Sequence, residues 1–90
     1  MKRDEQFKRN HALFKIFMGE ALESEALREL VPDKADLIFL PDNDPELLGA
    51  NLKLAEKLRS EGKRPVMIKI SYVPRTMTVL VPSIEVVEAA

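Results

Sequence analysis

The segment from residue 36 to residue 72 constrains the fold more than any other part of the chain. It opens with a short apolar run, Asp36-Leu37-Ile38-Phe39-Leu40, closed by Pro41, which is typical of a strand buried on both faces. Asp44-Pro45-Glu46 then forms a helix start, with a capping aspartate, a proline at the first helical position and a glutamate near the positive end of the helix dipole. Apolar residues recur at helical spacing as far as residue 60 or 61, and Gly62 ends the helix.

A second strand follows this helix, and the chain then doubles back. Residues 66–72 alternate, with Val66, Ile68, Ile70 and Tyr72 on one face and Met67, Lys69 and Ser71 on a more solvated face. Strand, helix and strand make one βαβ unit, whose right-handed crossover makes its strands parallel. We expect a turn at Val73-Pro74-Arg75 and an antiparallel strand from Thr76 to Val81, ended by Pro82. Residues 83–87 either continue that strand or dock as a tail.

The residues before this unit are helical in pattern. Apolar side chains form one broad stripe from Asp4 to about Glu20, wide enough to need two partners, and Gly19 loosens its end. Ser24 can cap a short helix from Glu25 to Leu30. The predicted class is α+β, a two-layer α/β sandwich in the order α-(short α)-β-α-β-β. Its three-stranded mixed sheet has the strand order 1-2-3, with the two main helices on one face.

This strand order leaves the most apolar strand at an edge of the sheet. Either a copy of the protein pairs with that strand, or the true order makes the strand central. The pattern of the residues leaves both alternatives open.

Length and composition limit the classes of function. Ninety residues make one domain, residues 1–90, and a hydrophobic fraction of 46% is ordinary for a globular protein. The chain has no cysteine and one histidine, His11, which excludes disulfides, thiolate chemistry and multi-histidine metal sites, so no cofactor is expected. No apolar stretch approaches the ~18 residues of a membrane span, and no apolar segment follows the N-terminal charges, so we expect a cytoplasmic protein.

The formal net charge of −1 hides blocks of opposite charge along the chain. Residues 1–17 carry a net charge of +3, residues 18–50 carry −7, residues 51–76 carry +5 and the remainder carries −2. Such alternation offers complementary patches to a copy of the same chain, whereas a nucleic-acid binder usually has one dominant basic balance. We therefore expect a homodimer and a protein partner, and nucleic acid is not favoured. The candidate interface residues are Phe7, Leu13, Phe17, Thr76, Met77 and Val79.

The loop Asp42-x-Asp44-x-Glu46 is the only carboxylate cluster at metal-ligand spacing. It follows the carboxyl end of a strand, where open α/β sheets place ligands. The favoured interpretation is that Asp44 caps the helix. The alternative is a weak Mg²⁺ or nucleotide site that uses Asp42 and Asp44, with His11 as a general base. Nothing in the sequence supplies His11 with a catalytic partner, which favours an ordinary histidine at the edge of a helix face.

Several segments together resemble a known family. They are Asn10-His11-x-Leu13-Phe14, the run from Phe39 to Leu47, Asn51, the strand from Val66 to Ile70, and Leu80-Val81-Pro82. This arrangement resembles a family of small uncharacterised prokaryotic proteins, often from thermophiles, that is described only as a domain of unknown function. The resemblance covers most of the chain and implies no activity and no functional residues.

The sequence favours a small non-enzymatic protein that self-associates and acts through a protein partner, in a regulatory or antitoxin-like role. The alternative is a small enzyme or a nucleotide- or Mg²⁺-binding protein built on the 41–46 loop and His11. A deep pocket lined by Asp42, Asp44 or His11 would favour the ligand site, and a flat apolar patch would favour the binding protein.

Overall fold

The computed structural model describes residues 1–32, 34–76 and 79–88, and the side chains among them except those within 72–81 and at 88. The elements are α1 (Arg3–Glu23), α2 (Glu25–Glu29), β1 (Leu37–Pro41), α3 (Pro45–Ser60), β2 (Val66–Thr76) and β3 (Val79–Glu88). The strands form a mixed sheet in the order β1-β2-β3, with β1 parallel and β3 antiparallel to β2. The predicted α+β class and element order are confirmed.

The first helix runs beyond the end predicted for it. Gly19 lies inside α1, which continues to Glu23. The last turn of α1 holds no basic residue, but Arg28 of α2 donates from Nη1 to the carbonyl oxygens of Ala21 (2.7 Å) and Leu22 (3.1 Å). These bonds satisfy carbonyls that a helix end otherwise leaves free, and they stabilise the extra turn.

Both ends of α3 are built as the sequence predicts. The Asp44 carboxylate accepts from the Leu47 N–H at 3.1 Å, and Pro45 is the first helical residue. At the other end Gly62 has a φ of 82°, a left-handed conformation that suits a residue without Cβ. Its N–H donates to the Arg59 carbonyl (3.0 Å), and the next N–H, of Lys63, donates to the Leu58 carbonyl (2.9 Å). This pair of bonds is the Schellman motif.

Two apolar clusters lie on opposite faces of the sheet, because neighbouring strand residues point to opposite sides. On one face α1 packs against Phe39 and β2, and on the other face α3 packs against Ile38 and Met67. The first cluster contains Leu13, Phe17, Ala21, Phe39, Leu47, Val66, Ile68 and Ile70, and the second contains Ile38, Ala55 and Met67. Since α3 contributes to both clusters, it crosses beside edge strand β1, whereas the prediction placed both main helices on one face.

The hairpin of β2 and β3 is longer than predicted. The turn predicted at residues 73–75 is wrong, since β2 continues to Thr76, with a register shift between Pro74 and Thr76. The strand end predicted at Pro82 is also wrong, because Pro82 lies within β3 opposite Tyr72. An edge strand tolerates a proline, whose missing N–H can face away from the ladder. Residues 83–87 therefore continue the strand.

Candidate functional site

A cluster of amide side chains joins α1, α3 and the edge of β1. Asn51 of α3 is 1% exposed and donates to the Phe39 carbonyl oxygen at 2.8 Å. It also exchanges two hydrogen bonds with Asn10 of α1, at 2.8 and 3.0 Å, and accepts a third from Gln6 at 3.0 Å. Because a carbonyl can only accept, the bond to Phe39 fixes which end of the Asn51 amide carries the nitrogen.

The Phe39 carbonyl points away from β2, toward the open edge of the sheet. The Asp36 carbonyl accepts from the Val66 N–H, and the Asp42 N–H donates to the Ile70 carbonyl, so the backbone groups of the even-numbered residues in this segment point toward β2. In a parallel strand the backbone groups of alternate residues point in opposite directions, so those of Phe39 and Pro41 point toward the open edge. Asn51 therefore satisfies an edge carbonyl, and Pro41 has no N–H to leave unpaired.

Arg9 of α1 connects Glu5 of the same helix with two carboxylates at the start of α3. Its Nε donates to Glu5 at 3.0 Å, and its Nη1 lies 3.2 Å from Asp44 Oδ1 and 2.9 Å from Glu46 Oε1. The hydrogen bond to Glu5, with the nearby charges of Asp44 and Glu46, raises the pKa of Arg9 above its ordinary value. Because the pKa of Arg9 is higher in the folded chain than in the unfolded chain, it adds stability at every pH below the unfolded pKa, and this stability is lost only as the pH rises through the folded pKa. Neutral pH lies far below both pKa values, so the guanidinium is charged there and the stabilisation is present.

The carboxylates of the predicted ligand loop do not share one site: one makes structural contacts, and another is exposed to solvent. Asp44 caps α3 and pairs with Arg9, while Asp42 is exposed. Among the residues that the structure describes, no group of three or more His, Asp or Glu side chains is arranged to hold a metal ion. The capping interpretation of Asp44 is confirmed.

His11 lies on a different side of α1 from the Asp44 loop. A groove of about 270 Å³ is lined by Arg9, Asp44 and Leu47, whereas His11 lines a separate groove of about 340 Å³ with Phe14, Leu37 and others. Positions 9 and 11 of a helix are about 200° apart, which explains the separation. The structure therefore does not bring His11 together with Asp44.

The outer side of α1 carries an exposed row of mostly apolar side chains. Phe7 is 70% exposed, Phe14 41%, Met18 40% and Leu22 73%, and the exposed ring of His11 stacks on Phe7 with centroids 6.1 Å apart. These five positions fall within a sector of about 80° and extend over about 22 Å of helix. We call Phe7, His11, Phe14, Met18 and Leu22 the α1 stripe.

The interface residues predicted from the sequence differ in their location: one is exposed, two are buried, and three cannot be compared because they or their side chains are not described. Phe7 belongs to the α1 stripe, but Leu13 and Phe17 are buried in the chain's own core, at 8% and 4% exposure. Met77 and the side chains of Thr76 and Val79 lie outside the described residues. The broad apolar pattern of α1 predicts that the helix has two partners. The pattern alone does not show which of its apolar residues pack inward and which are exposed.

Comparison with known proteins identifies a family for this chain. No helix of the described residues is long and apolar enough to span a membrane. No curated protein matches the chain, and neither does a solved structure. A family model described as "Family of unknown function (DUF5647)" matches residues 5–82, which include all of α3 and β2, the amide cluster and the α1 stripe. Because the match covers most of the chain, the protein belongs to the DUF5647 family.

Proposed function

We propose that this protein is a small non-enzymatic module that self-associates and acts through a protein partner, in a regulatory or antitoxin-like role. The observation that carries the proposal is the α1 stripe, four of whose five residues are large hydrophobics at least 40% exposed. Contiguous exposed apolar surface on a small protein marks an interaction site more often than a scattered hydrophobic residue does. The stripe also borders the groove lined by Leu37 and Phe39, which extends the apolar surface to β1.

The polar groups of the protein support the same proposal. The side chains that a small enzyme or Mg²⁺-binding protein would use either make structural contacts within the fold or lie in separate grooves. Asp44 is held by the α3 N-terminus and Arg9, and His11 lies against Phe7 in a different groove. A hydrolytic or phosphate site needs such groups to converge on one point.

Self-association is tested by the mass of the protein in solution. Light scattering from low to high micromolar concentration should show a mass that rises toward twice the chain mass of 10.2 kDa. Leu22→Glu and Phe7→Glu place a charge on the stripe, so each should shift the protein toward monomer. Both side chains are at least 70% exposed, so neither substitution should unfold the chain.

The matched control is Leu52→Glu on α3. Leu52 is 43% exposed, similar to Phe14 and Met18, but it lies outside the stripe. The control should keep the mass of the unmodified protein. A monomeric mass for the unmodified protein at high micromolar concentration would overturn the proposal of self-association.

Three further properties belong to the same proposal. We propose a cytoplasmic location, a prokaryotic and heat-tolerant source, and no role in binding nucleic acid. The prokaryotic source is proposed only from the family resemblance of the sequence. The other properties are supported by composition: a high charged fraction of 32%, no cysteine, and charge blocks of both signs in place of one basic balance.

A further inference from the structure

We infer that the α1 stripe binds the α1 stripe of a second copy of the chain, with the two helices antiparallel about a two-fold axis that passes between residues 14 and 15. This inference rests on the proposed self-association and names the surface and the orientation that produce it. A two-fold interface uses the same patch on both copies, so the patch must be complementary to itself. Its apolar positions and its flanking charges can both be checked for that property.

The spacing of the stripe is self-complementary in the antiparallel direction. With the axis between residues 14 and 15, a residue of one copy lies level with the residue of the other copy for which the two residue numbers add up to 29. Phe7 of one copy then lies level with Leu22 of the other, and His11 lies level with Met18. The two Phe14 side chains meet beside the axis. Every residue of the stripe thus faces another stripe residue, and its two most exposed members, Phe7 and Leu22, cover each other.

The charges of the first two helices favour the same direction. Residues 1–17 carry five basic and two acidic side chains, a net charge of +3, and residues 18–30 carry one basic and four acidic side chains, a net charge of −3. An antiparallel partner places the basic half of each copy beside the acidic half of the other. A parallel partner places like halves together, which is unfavourable.

Lys8 and Glu23 are the pair that tests this arrangement most directly. Both are exposed, and on the same side of the stripe Lys8 lies about 80° and Glu23 about 140° from its middle. In the antiparallel dimer Lys8 lies level with residue 21 of the second copy, so that an extended Lys8 side chain approaches Glu23 of that copy, and the two-fold axis makes this approach twice. Within one chain the two residues are 15 positions apart on one helix, about 22 Å, so they cannot pair with each other.

Two charged side chains oppose this dimer weakly. Lys15 lies beside the axis, where it meets its own copy, and Asp4 lies just beyond the C-terminal end of the second copy's α1, near the acidic Glu23. Lys15 and Asp4 are exposed, so their charges are largely screened by solvent. Lys15 also provides a polar position at the axis that can be changed without altering the apolar stripe.

A charge-reversal experiment tests the orientation. Lys8→Glu and Glu23→Lys should each weaken dimerisation about tenfold, measured by sedimentation equilibrium, because each places like charges together twice per dimer. The double variant restores opposite charges and should recover most of the lost affinity. Since the two sites cannot touch within one chain, recovery can arise only between copies. Two additive losses without recovery would overturn the antiparallel arrangement.

Cross-linking provides an independent check, because the chain has no cysteine of its own. With a short bis-maleimide, Lys15→Cys beside the axis should form cross-linked dimers efficiently, whereas Leu22→Cys alone should not. A mixture of Phe7→Cys and Leu22→Cys should cross-link the two variants to each other. The matched control, Glu56→Cys on the exposed surface of α3, should stay uncross-linked.

The outcomes separate this inference from the proposed function. A dimer in which Leu22→Cys alone cross-links efficiently would show a parallel pair. A dimer in which no stripe position cross-links would show that the copies associate through another interface and that the α1 stripe is free to bind a different protein. Either result overturns the inference but leaves self-association in place. A strictly monomeric protein overturns both.

Discussion

At the scale of single residues, Asn51 has a demanding environment for a polar side chain. It is almost fully buried, yet its amide makes four hydrogen bonds, to Phe39, Gln6 and twice to Asn10. In the part of the chain that the structure describes, every buried side-chain nitrogen and oxygen has a partner. Asn51 therefore fixes how α1 and α3 meet at β1, because its amide both donates and accepts across that junction.

Replacing Asn51 should destabilise the fold strongly. Asn51→Ala leaves the Phe39 carbonyl and its two amide partners without their bonds, and we expect a loss of about 2 to 3 kcal/mol in the free energy of unfolding. Asn51→Asp keeps the shape but loses both donated bonds and places a carboxylate against the carbonyl, so it should be at least as damaging. Urea denaturation measures both losses.

Asn10→Ala is the matched control for the amide cluster. Asn10 is only half-buried, and its removal leaves Asn51 bonded to Phe39 and Gln6, so we expect a loss of about 1 kcal/mol. Equal losses for Asn10→Ala and Asn51→Ala would contradict the central role of Asn51. The sequence shows Asn51 only as a polar residue on an apolar helix face, and its partners come from segments about 40 positions away in α1 and 12 in β1.

At the scale of elements, the start of α3 shows how one carboxylate can serve two helices. Asp44 caps α3 through the Leu47 N–H, and it also pairs with Arg9 of α1. The sequence indicates the cap, because Asp44-Pro45-Glu46 is a local signal within one turn. It does not indicate the pairing with Arg9, which is 35 positions away in the chain.

Substitutions in this loop distinguish capping from cation binding. Asp44→Ala should cost about 1 kcal/mol of stability, and Asp44→Ser should retain most of it, because a hydroxyl can also accept the Leu47 N–H. Asp42→Ala should have little effect, since Asp42 is exposed. Thermal melts of the three variants with and without Mg²⁺ measure these changes. A melting temperature of the unmodified protein that rises markedly with Mg²⁺, and no longer does so in Asp42→Ala, would favour the ligand site instead.

The edge strand β1 answers the question that the sequence left open about its position. The sequence offered pairing with a second copy or a central position as reasons for its apolar character. In the structure β1 lies at the edge, as the predicted order has it, and α3 runs beside it. Phe39 and Ile38 are buried by α1 on one face and α3 on the other, which explains an apolar edge strand. The Asn51 amide and Pro41 reduce the number of free edge groups.

At the scale of the whole molecule, local signals predicted the fold and long-range contacts decided the rest. The order of elements, the strand order and both ends of α3 follow from periodicity, caps and prolines, each of which acts within a few residues. The position of α3 across both faces, the amide cluster and the split of α1 into a buried and an exposed half depend on contacts between distant segments. The prolines at 74 and 82 were wrongly predicted to end strands, because each lies where only one neighbouring strand pairs. Pro82 is on edge strand β3, and Pro74 lies in β2 beyond Ile70, where the pairing with β1 ends.

The exposed half of α1 makes the stability of the whole molecule depend on its concentration. If a second copy covers the α1 stripe, it binds the folded chain and not the unfolded one, so dimerisation should raise the melting temperature. A tenfold increase in concentration adds about 1.4 kcal/mol per dimer, or about 0.7 kcal/mol per chain, when dimers dominate throughout. For a domain of this size that corresponds to about 3 to 5 °C, measurable by calorimetry. Leu22→Glu should remove the dependence on concentration, and Leu52→Glu should keep it, since only Leu22 lies on the stripe. A melting temperature of the unmodified protein that stays constant across this range would contradict a dimer coupled to folding.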